Sequence, residues 1–300
     1  MSMKGLIHYS GKLDLSFLTL ILKHRSTVTE VCRNLAETLK LCGPAIISNQ
    51  SVIEEICAQI QMILRKQHTC QLDLEEDEEQ PDLQESAEYD WILIDTAMNV
   101  SIGLAAALGP AYRKLFILFE KHILRYASSS EATERSTAIG VLADTIKYME
   151  EGCTEYTPVC MIVIYMINPE LIVEFTQQLM KILLHRLSDE DPETKSNAAY
   201  AIGLLCLKSK NVQEVVRHYN TILQKLGPIL HIQHYRLLDN ACGCLARMIM
   251  AYPDAMPISH LLEQLVKQLP LKEDYDENAP IYEMLVQLCK PILAFPNSRC

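Results

Sequence analysis

The chain has 300 residues, of which 38 are acidic and 27 basic, and the resulting net charge of −11 argues against direct binding of nucleic acid. Leu, Ile, Ala and Met dominate the apolar residues and aromatic residues make up only 6%, a composition that favours helix over sheet. The eleven cysteines follow no pairing pattern, so we expect reduced thiols in the cytosol or nucleus. The apolar run Val159–Ile167 is too short to span a bilayer, and we predict no membrane association.

Helical periodicity runs along most of the chain and becomes clear from Thr27. Gly43-Pro44 is predicted to end the first helix, and a second helix begins near Ser51. After an acidic stretch the helical pattern resumes near Tyr89 and ends at Gly109-Pro110, whose proline suits the first position of another helix. No stretch alternates convincingly with the period of two that a strand requires, so the sequence predicts an all-α protein.

The acidic stretch from Asp73 to Asp95 holds eleven Asp or Glu residues and no Lys or Arg. Without it the chain has 27 acidic and 27 basic residues, so this stretch carries the whole net charge. Such a run cannot bury itself, because its like charges repel and it offers few apolar side chains. We predict an acidic, disordered loop over residues 70–88. It is either a solvated spacer or a solvated loop that also captures a basic partner.

The second half of the chain contains helices that align with one another. They are predicted at about 133–148, from Asn168-Pro169, after the turn Ser188–Pro192, at 211–226 and 235–252, and as a shorter pair at 257–269 and 280–288. Small residues at Ala138, Ala198 and Ala241 align and would let helices approach closely. The spacing from Ala198 to Ala241, 43 residues, lies within the roughly 40–47 residues of HEAT or armadillo repeats. The spacing from Ala138 to Ala198, 60 residues, is longer than such a repeat and contains the segment 151–168. This segment is either an inserted surface loop with an apolar patch or an error of gene prediction.

These repeats predict a HEAT-repeat superhelical solenoid of antiparallel helix pairs. Its predicted segments are partial HEAT repeats at 1–69, the acidic loop at 70–88, HEAT repeats at 89–150, the insertion at 151–168, and HEAT repeats at 169–300. Ala198 and Ala241 should then be buried between helices.

Sequence motifs of catalysis and metal binding are not found. There is no Gly-rich phosphate loop, G-x-S-x-G, H-E-x-x-H or C-x-x-C, so we predict neither an enzyme nor a cofactor. His231 and His234 could bring two metal ligands together, but the nearby Cys242-Gly-Cys244 lacks the spacing of a zinc site, and we predict no metal. Asp189 and Asp191 could mimic acid–base carboxylates, although their position in a turn before a proline favours helix capping.

Several segments together resemble the importin-β (karyopherin-β) family, in its C-terminal part. They are EYDWILIDTAMNVSIGLAAALG after an acidic loop, STAIGVLADTI, DPETKSNAAYAIGLL, DNACGCLARMI and LPLKEDYDENAPIY, which follow the family's order over about residues 72–289. The resemblance implies a nuclear import receptor that moves between cytoplasm and nucleus, with basic cargo such as ribosomal proteins and histones and with nuclear pore proteins as partners. The segment 151–168 departs from the family, and the N-terminal repeats that bind the GTPase Ran have no counterpart, so we expect Ran binding to be lost.

Amide and acidic side chains at equivalent repeat positions are candidate cargo contacts. Asn197 and Asn240 either form a polar ladder between adjacent helices or bind the backbone of an extended cargo. Asp239 adds negative charge beside Asn240, and Asp95 with Asn99 offers the same on an earlier helix. The predicted cargo-binding set comprises these residues and the acidic run Glu75, Glu76, Asp77, Glu78 and Glu79. The alternative is a generic HEAT scaffold for a multi-protein complex, in which the acidic run is a spacer.

Overall fold

A computed structural model of the chain describes residues 24–72, 83–150, 169–209 and 212–293. Every regular element in these ranges is a helix, which confirms the all-α class. The predicted insertion at 151–168 and the acidic run Glu75–Glu79 lie outside the described residues.

The chain divides into two compact units, each with its own set of helices. The first unit comprises Met1–Leu108 and Tyr112–His122, and the second comprises Gly109–Ala111 and Ile123–Cys300. The first holds α1 (Arg25–Ile46), α2 (Gln50–Leu64), α3 (Thr69–Leu72), α4 (Leu83–Leu108) and, after a 3-10 turn at Gly109–Tyr112, most of α5 (Arg113–Tyr126). The second holds α6 (Ala132–Glu150), α7 (Pro169–Arg186), α8 (Pro192–Lys208), α9 (Val212–Val216), α10 (Tyr219–Ile229), α11 (Tyr235–Ala251), α12 (Ile258–Gln268) and α13 (Asn278–Leu293), with 3-10 turns at Pro253–Ala255 and Tyr275–Glu277.

In the first unit α1 lies along α4, and α2 packs against the same helix. The predicted helix end at Gly43-Pro44 corresponds to a kink within α1, across which two helical segments join. Cys42 has non-helical torsions (φ −128°, ψ 22°), after which helical turns continue to Ile46. A proline is tolerated in the first turn of a helical segment, where its missing N–H has no intrahelical acceptor to lose.

The ends of the predicted acidic loop at 70–88 are helical, which corrects its boundaries. The short helix α3 occupies Thr69–Leu72, and the side-chain amide of Gln71 donates to the carbonyl of Ile63 in α2 at 3.4 Å. At the other end α4 begins at Leu83, so Glu85 stands in its first turn.

In the second unit α6, α8, α11 and α13 contact one another in that order, as the second helices of stacked repeats do. The first helices pack on them, α7 on α8 and both α10 and α12 on α11. Ala198 and Ala241 are fully buried, which confirms their predicted position between helices. The backbones approach so closely that a Cβ atom added to Gly203 would lie 2.9 Å from the Cα of Cys244.

The helical stretch Asp90–Tyr126 is long and apolar enough to cross a membrane by length and composition alone, with a mean hydropathy of 1.6. However, 78% of its apolar window is buried inside the protein, as expected for a core helix of a packed domain.

Candidate functional site

The two aligned asparagines of the second unit tie neighbouring helices together. The side-chain amide of Asn197 in α8 donates to the carbonyl of Ser136 in α6 at 3.0 Å. The amide of Asn240 in α11 lies 3.2 Å from Oγ of Ser196 in α8 and 2.9 Å from Oδ2 of Asp274. Both side chains thus act as the rungs of a polar ladder between successive repeats.

Asp239, the residue before Asn240, is bonded to the loop that precedes α13. Its Oδ2 accepts the backbone N–H groups of Lys272, Glu273 and Asp274 at 3.1, 2.8 and 2.9 Å. Asp239 is 1% exposed and Asn240 3% exposed. Cargo contact by the two residues stays a prediction that this burial disfavours, because a partner could reach them only by displacing bonds that stabilise the buried carboxylate.

The remaining candidates of the helices are half-buried and keep part of their side chains at the surface. Asn197 is one of them, and Asp95 and Asn99 on α4 are the others. The amide of Asn99 donates to the carbonyl of Asp95 at 3.1 Å. Burial raises the pKa of the Asp95 carboxyl above its ordinary value, and the nearby Arg33 guanidinium partly opposes the shift.

The turn before α8 holds a second polar cluster in which the two aspartates play different roles. Asp191 caps the helix, because its carboxylate accepts the N–H of Thr194 at 2.7 Å, as predicted. Asp189 instead receives two hydrogen bonds from Arg135 of α6, at 2.9 and 2.8 Å, and one from Arg186 at 2.8 Å. Burial raises the pKa of Asp189, but these hydrogen bonds and the N–H of Asp191 outweigh it and lower the pKa to about 2.

A buried ion pair between α11 and the 3-10 turn Tyr275–Glu277 was not predicted from the sequence. Arg247 donates to both carboxylate oxygens of Glu277, at 2.5 and 2.9 Å, and the two residues are 6% and 1% exposed. The guanidinium carbon lies 5.1 Å from the ring centre of Tyr200 in α8. The carboxylate of Glu277 occupies the space that a side chain at position 243 would fill. The glycine within an apolar helix was therefore the one feature of the sequence that could have indicated a close contact here.

Metal-ligand clusters do not form in the part of the chain that the structure describes. No group of three or more His, Cys, Asp or Glu residues there could hold a metal ion. His234 caps α11, since its Nδ1 accepts the N–H of Leu237 at 3.3 Å. The polar side chains of the second unit described above serve helix packing and capping.

In the sequence, the acidic residues from Asp73 to Asp82 stand between two helices of the first unit. They follow α3 and precede α4, which both pack within that unit. Seven of the ten residues from Asp73 to Asp82 are acidic. Within α4, Asp90 pairs with Arg25 of α1 at 3.3 Å. The described residues on either side of this stretch therefore belong to helices of the first unit.

Comparison with known proteins identifies relatives over most of the chain. It is 34% identical over 242 residues to the probable importin subunit beta-4 of Schizosaccharomyces pombe, a match covering 78% of this chain and 21% of the relative. It is 31% and 30% identical to importin-4 of Mus musculus and Homo sapiens, over 85% of this chain and 22% of each relative. The chain thus spans about a fifth of the length of these relatives. No family model matches it.

A solved structure supports the same architecture. The crystal structure of an engineered protein from a structural genomics consortium superposes with a TM-score of 0.52, covering 91% of this chain and 97% of that one. At 16% identity this likeness concerns the fold alone. Together with the stacked helix pairs it confirms an all-α fold of HEAT type.

Proposed function

We propose that this chain, which is importin-4-like, belongs to the importin-β family and is the segment of a nuclear import receptor that binds basic protein cargo. Cargo of this chemistry includes ribosomal proteins and histones, whose Lys and Arg side chains would meet the carboxylates of the chain. Nuclear pore proteins are further proposed partners, and the protein would act in both cytoplasm and nucleus.

The observation that carries this proposal is where the negative charge lies. The whole net charge of −11 lies between Asp73 and Asp95, in a stretch that starts directly after α3 and continues into α4. A concentrated field of one sign raises the association rate of a partner of the opposite sign. Single exposed charge pairs contribute only about 0–1 kcal/mol each, so we expect the run to act mainly on association.

Partly exposed polar groups on the helices would supply the shorter-range contacts. We propose Asp95 and Asn99 of α4 for this role in the first unit, and Asn197 of α8 in the second. Asp239 and Asn240 are left out, because their polar atoms are buried and bonded within the protein.

The test replaces Glu75, Glu76, Asp77, Glu78 and Glu79 with Gln or Asn and measures binding of purified core histones by stopped-flow or surface plasmon resonance. We expect slower association and a shallower dependence of the rate on salt, since exposed charges are screened over about 8–10 Å at 0.10–0.15 M salt.

A scattered variant provides the matched control. Neutralising the exposed residues Glu37, Glu131, Asp254, Glu263 and Glu283 changes the net charge equally without touching the acidic run. If both variants slow association to the same degree, net charge and not the run steers the cargo. If neither does, the run is a spacer and the chain is better explained as a scaffold for a multi-protein complex.

A further inference from the structure

The outer face of α5 carries a surface that is basic and apolar, in contrast to the acidic run. Ile117 is 65% and Leu118 is 39% exposed, and the exposed Lys114 and Lys121 lie beside them on the same side of the helix. Glu120, the one acidic residue of α5, is half-buried. Two apolar side chains are thus left uncovered between two cations in a chain whose net charge is strongly negative.

The end of α2 extends this surface with two more cations. The amide of Gln61 donates to the carbonyl of Leu118 at 3.1 Å, and Nε of Arg65 lies 3.4 Å from Nε2 of His122. These contacts hold α2 alongside α5 within the first unit. They place the exposed Arg65 beside α5, and the exposed Lys66 follows it in the chain.

Lys66 occupies a backbone position that favours glycine. Its φ is 58°, and it ends α2 by donating its N–H to the carbonyl of Ile63 at 2.9 Å, while Gln67 donates to Met62 at 2.8 Å. These are the bonds of a Schellman motif, whose left-handed residue is most often glycine. A charged residue that remains in such a conformation costs stability, and strain of this kind concentrates at functional positions.

We propose that this basic-apolar surface, formed by Arg65, Lys66, Lys114, Ile117, Leu118 and Lys121, binds an acidic, amphipathic segment of a second protein. Carboxylates of that segment would meet the four cations, and its apolar side chains would cover Ile117 and Leu118. The uncovered isoleucine favours a peptide over a nucleic acid, because a phosphate backbone offers nothing to bury it. This site goes beyond the proposed function, since its partner has the charge opposite to that of basic cargo.

Fluorescence anisotropy with a labelled peptide of Glu and Leu in helical spacing tests the proposal on the full chain. Lys114→Glu with Lys121→Glu should weaken binding at least tenfold, and Ile117→Ser should weaken it severalfold. Added salt should weaken binding to the wild type and have less effect on the doubly charge-reversed variant. A peptide with Ser in place of Leu should bind more weakly than the parent peptide.

The control changes a comparable exposed pair of the second unit, with Val266→Ser and Lys267→Glu, and should alter affinity less than twofold. Equal losses in both variants, or no loss in the α5 variant, would overturn the proposal. So would tighter binding of single-stranded nucleic acid or anionic vesicles than of the peptide at the same residues. If neutralising Glu75–Glu79 raises peptide affinity tenfold, the chain's own acidic run occupies the surface, which also overturns binding of a second protein.

Should the doubly substituted protein unfold, as judged by circular dichroism, Lys121→Gln and Ile117→Ser are tested singly. Both positions are exposed, so each variant should keep its melting temperature and still weaken peptide binding. Unchanged affinity in both single variants contradicts the proposal.

Discussion

Replacing Gly243 with alanine should disrupt the buried pair of Arg247 and Glu277. The added Cβ would lie 1.4 Å from Oε2 of Glu277, 2.5 Å from its Cδ and 3.1 Å from Nη1 of Arg247. No side chain tolerates such distances, so the carboxylate has to move. Because Glu277 is 1% exposed, it cannot move without losing its bonds to Arg247 or rearranging the packing of α11 and α13.

The expected loss follows from leaving a buried charge without its partner. Breaking a buried ion pair from one side costs about 3–5 kcal/mol. Alanine in place of glycine within a helix returns about 1 kcal/mol. The free energy of unfolding should therefore fall by about 2–4 kcal/mol. For a unit of this size each kcal/mol corresponds to roughly 2–4 °C in melting temperature.

Urea unfolding followed by far-UV circular dichroism measures the loss, and hydrogen exchange of α11 and α13 locates it in the second unit. Gly140→Ala is the matched control, since Gly140 follows Ala138 by the same two residues by which Gly243 follows Ala241. Its added Cβ would meet only the Asn197 amide, at an ordinary 3.4 Å. This variant should change stability by no more than about 1 kcal/mol.

A double-mutant cycle separates the clash from other effects of Gly243→Ala. In a Glu277→Ala background the carboxylate is gone, so Gly243→Ala should cost little further stability. The reasoning is refuted if Gly243→Ala destabilises the protein no more than Gly140→Ala, or if its cost is undiminished in the Glu277→Ala background.

Three further predictions concern packing, backbone and pH. Ala198→Leu should overpack the interface of α8 and lower the free energy of unfolding by about 1–3 kcal/mol in urea titrations; an unchanged midpoint would contradict this. Lys66→Gly should raise the free energy of unfolding by about 1 kcal/mol and at the same time weaken binding of the acidic peptide. A variant that is merely destabilised would not show both changes. Asp189 has its pKa lowered to about 2, below its unfolded value, so its stabilisation of about 2 kcal/mol is present above pH 4 and lost as pH falls toward 2. The difference in the free energy of unfolding between wild type and Asp189→Asn should vanish across that range. The same difference should be smaller when both proteins also carry Arg135→Met.

The helix positions of the second unit were predictable because local sequence determines them. The turn before Pro192 and the cap at Asp191 mark the start of α8, which begins at Pro192 as expected. The pattern at 235–252 corresponds to α11, Tyr235–Ala251. Turn residues, caps and a helical period act over a few residues, so a single sequence contains what is needed to place them.

Contacts between repeats were not predictable in the same way. Arg247 and Glu277 are 30 residues apart, and nothing near either residue indicates its partner. Asn240 was a candidate for cargo contact because it aligns with Asn197 in the repeat, with a polar ladder as the alternative, and Asp239 because it adds negative charge beside Asn240. In the structure, both side chains form hydrogen bonds with the loop that precedes α13. Periodicity identifies the face of a helix, whereas only the tertiary neighbour decides whether a polar side chain on it is satisfied internally.

This distinction bears on where the chain would bind the basic cargo that we propose. In the second unit, arginines of one helix pair with acids of a neighbouring element, as Arg135 does with Asp189, Arg236 with Glu193 and Arg247 with Glu277. Such carboxylates are already neutralised by the fold, and a cargo lysine would have to displace an arginine to reach them. The residues from Asp73 to Asp82 contain no Lys or Arg with which to pair locally. Because the acids of these three pairs are occupied within the fold, we expect the acidic run to contribute most to the proposed binding of basic cargo. Replacing Glu75–Glu79 should slow association and flatten its salt dependence while leaving the helix stack intact.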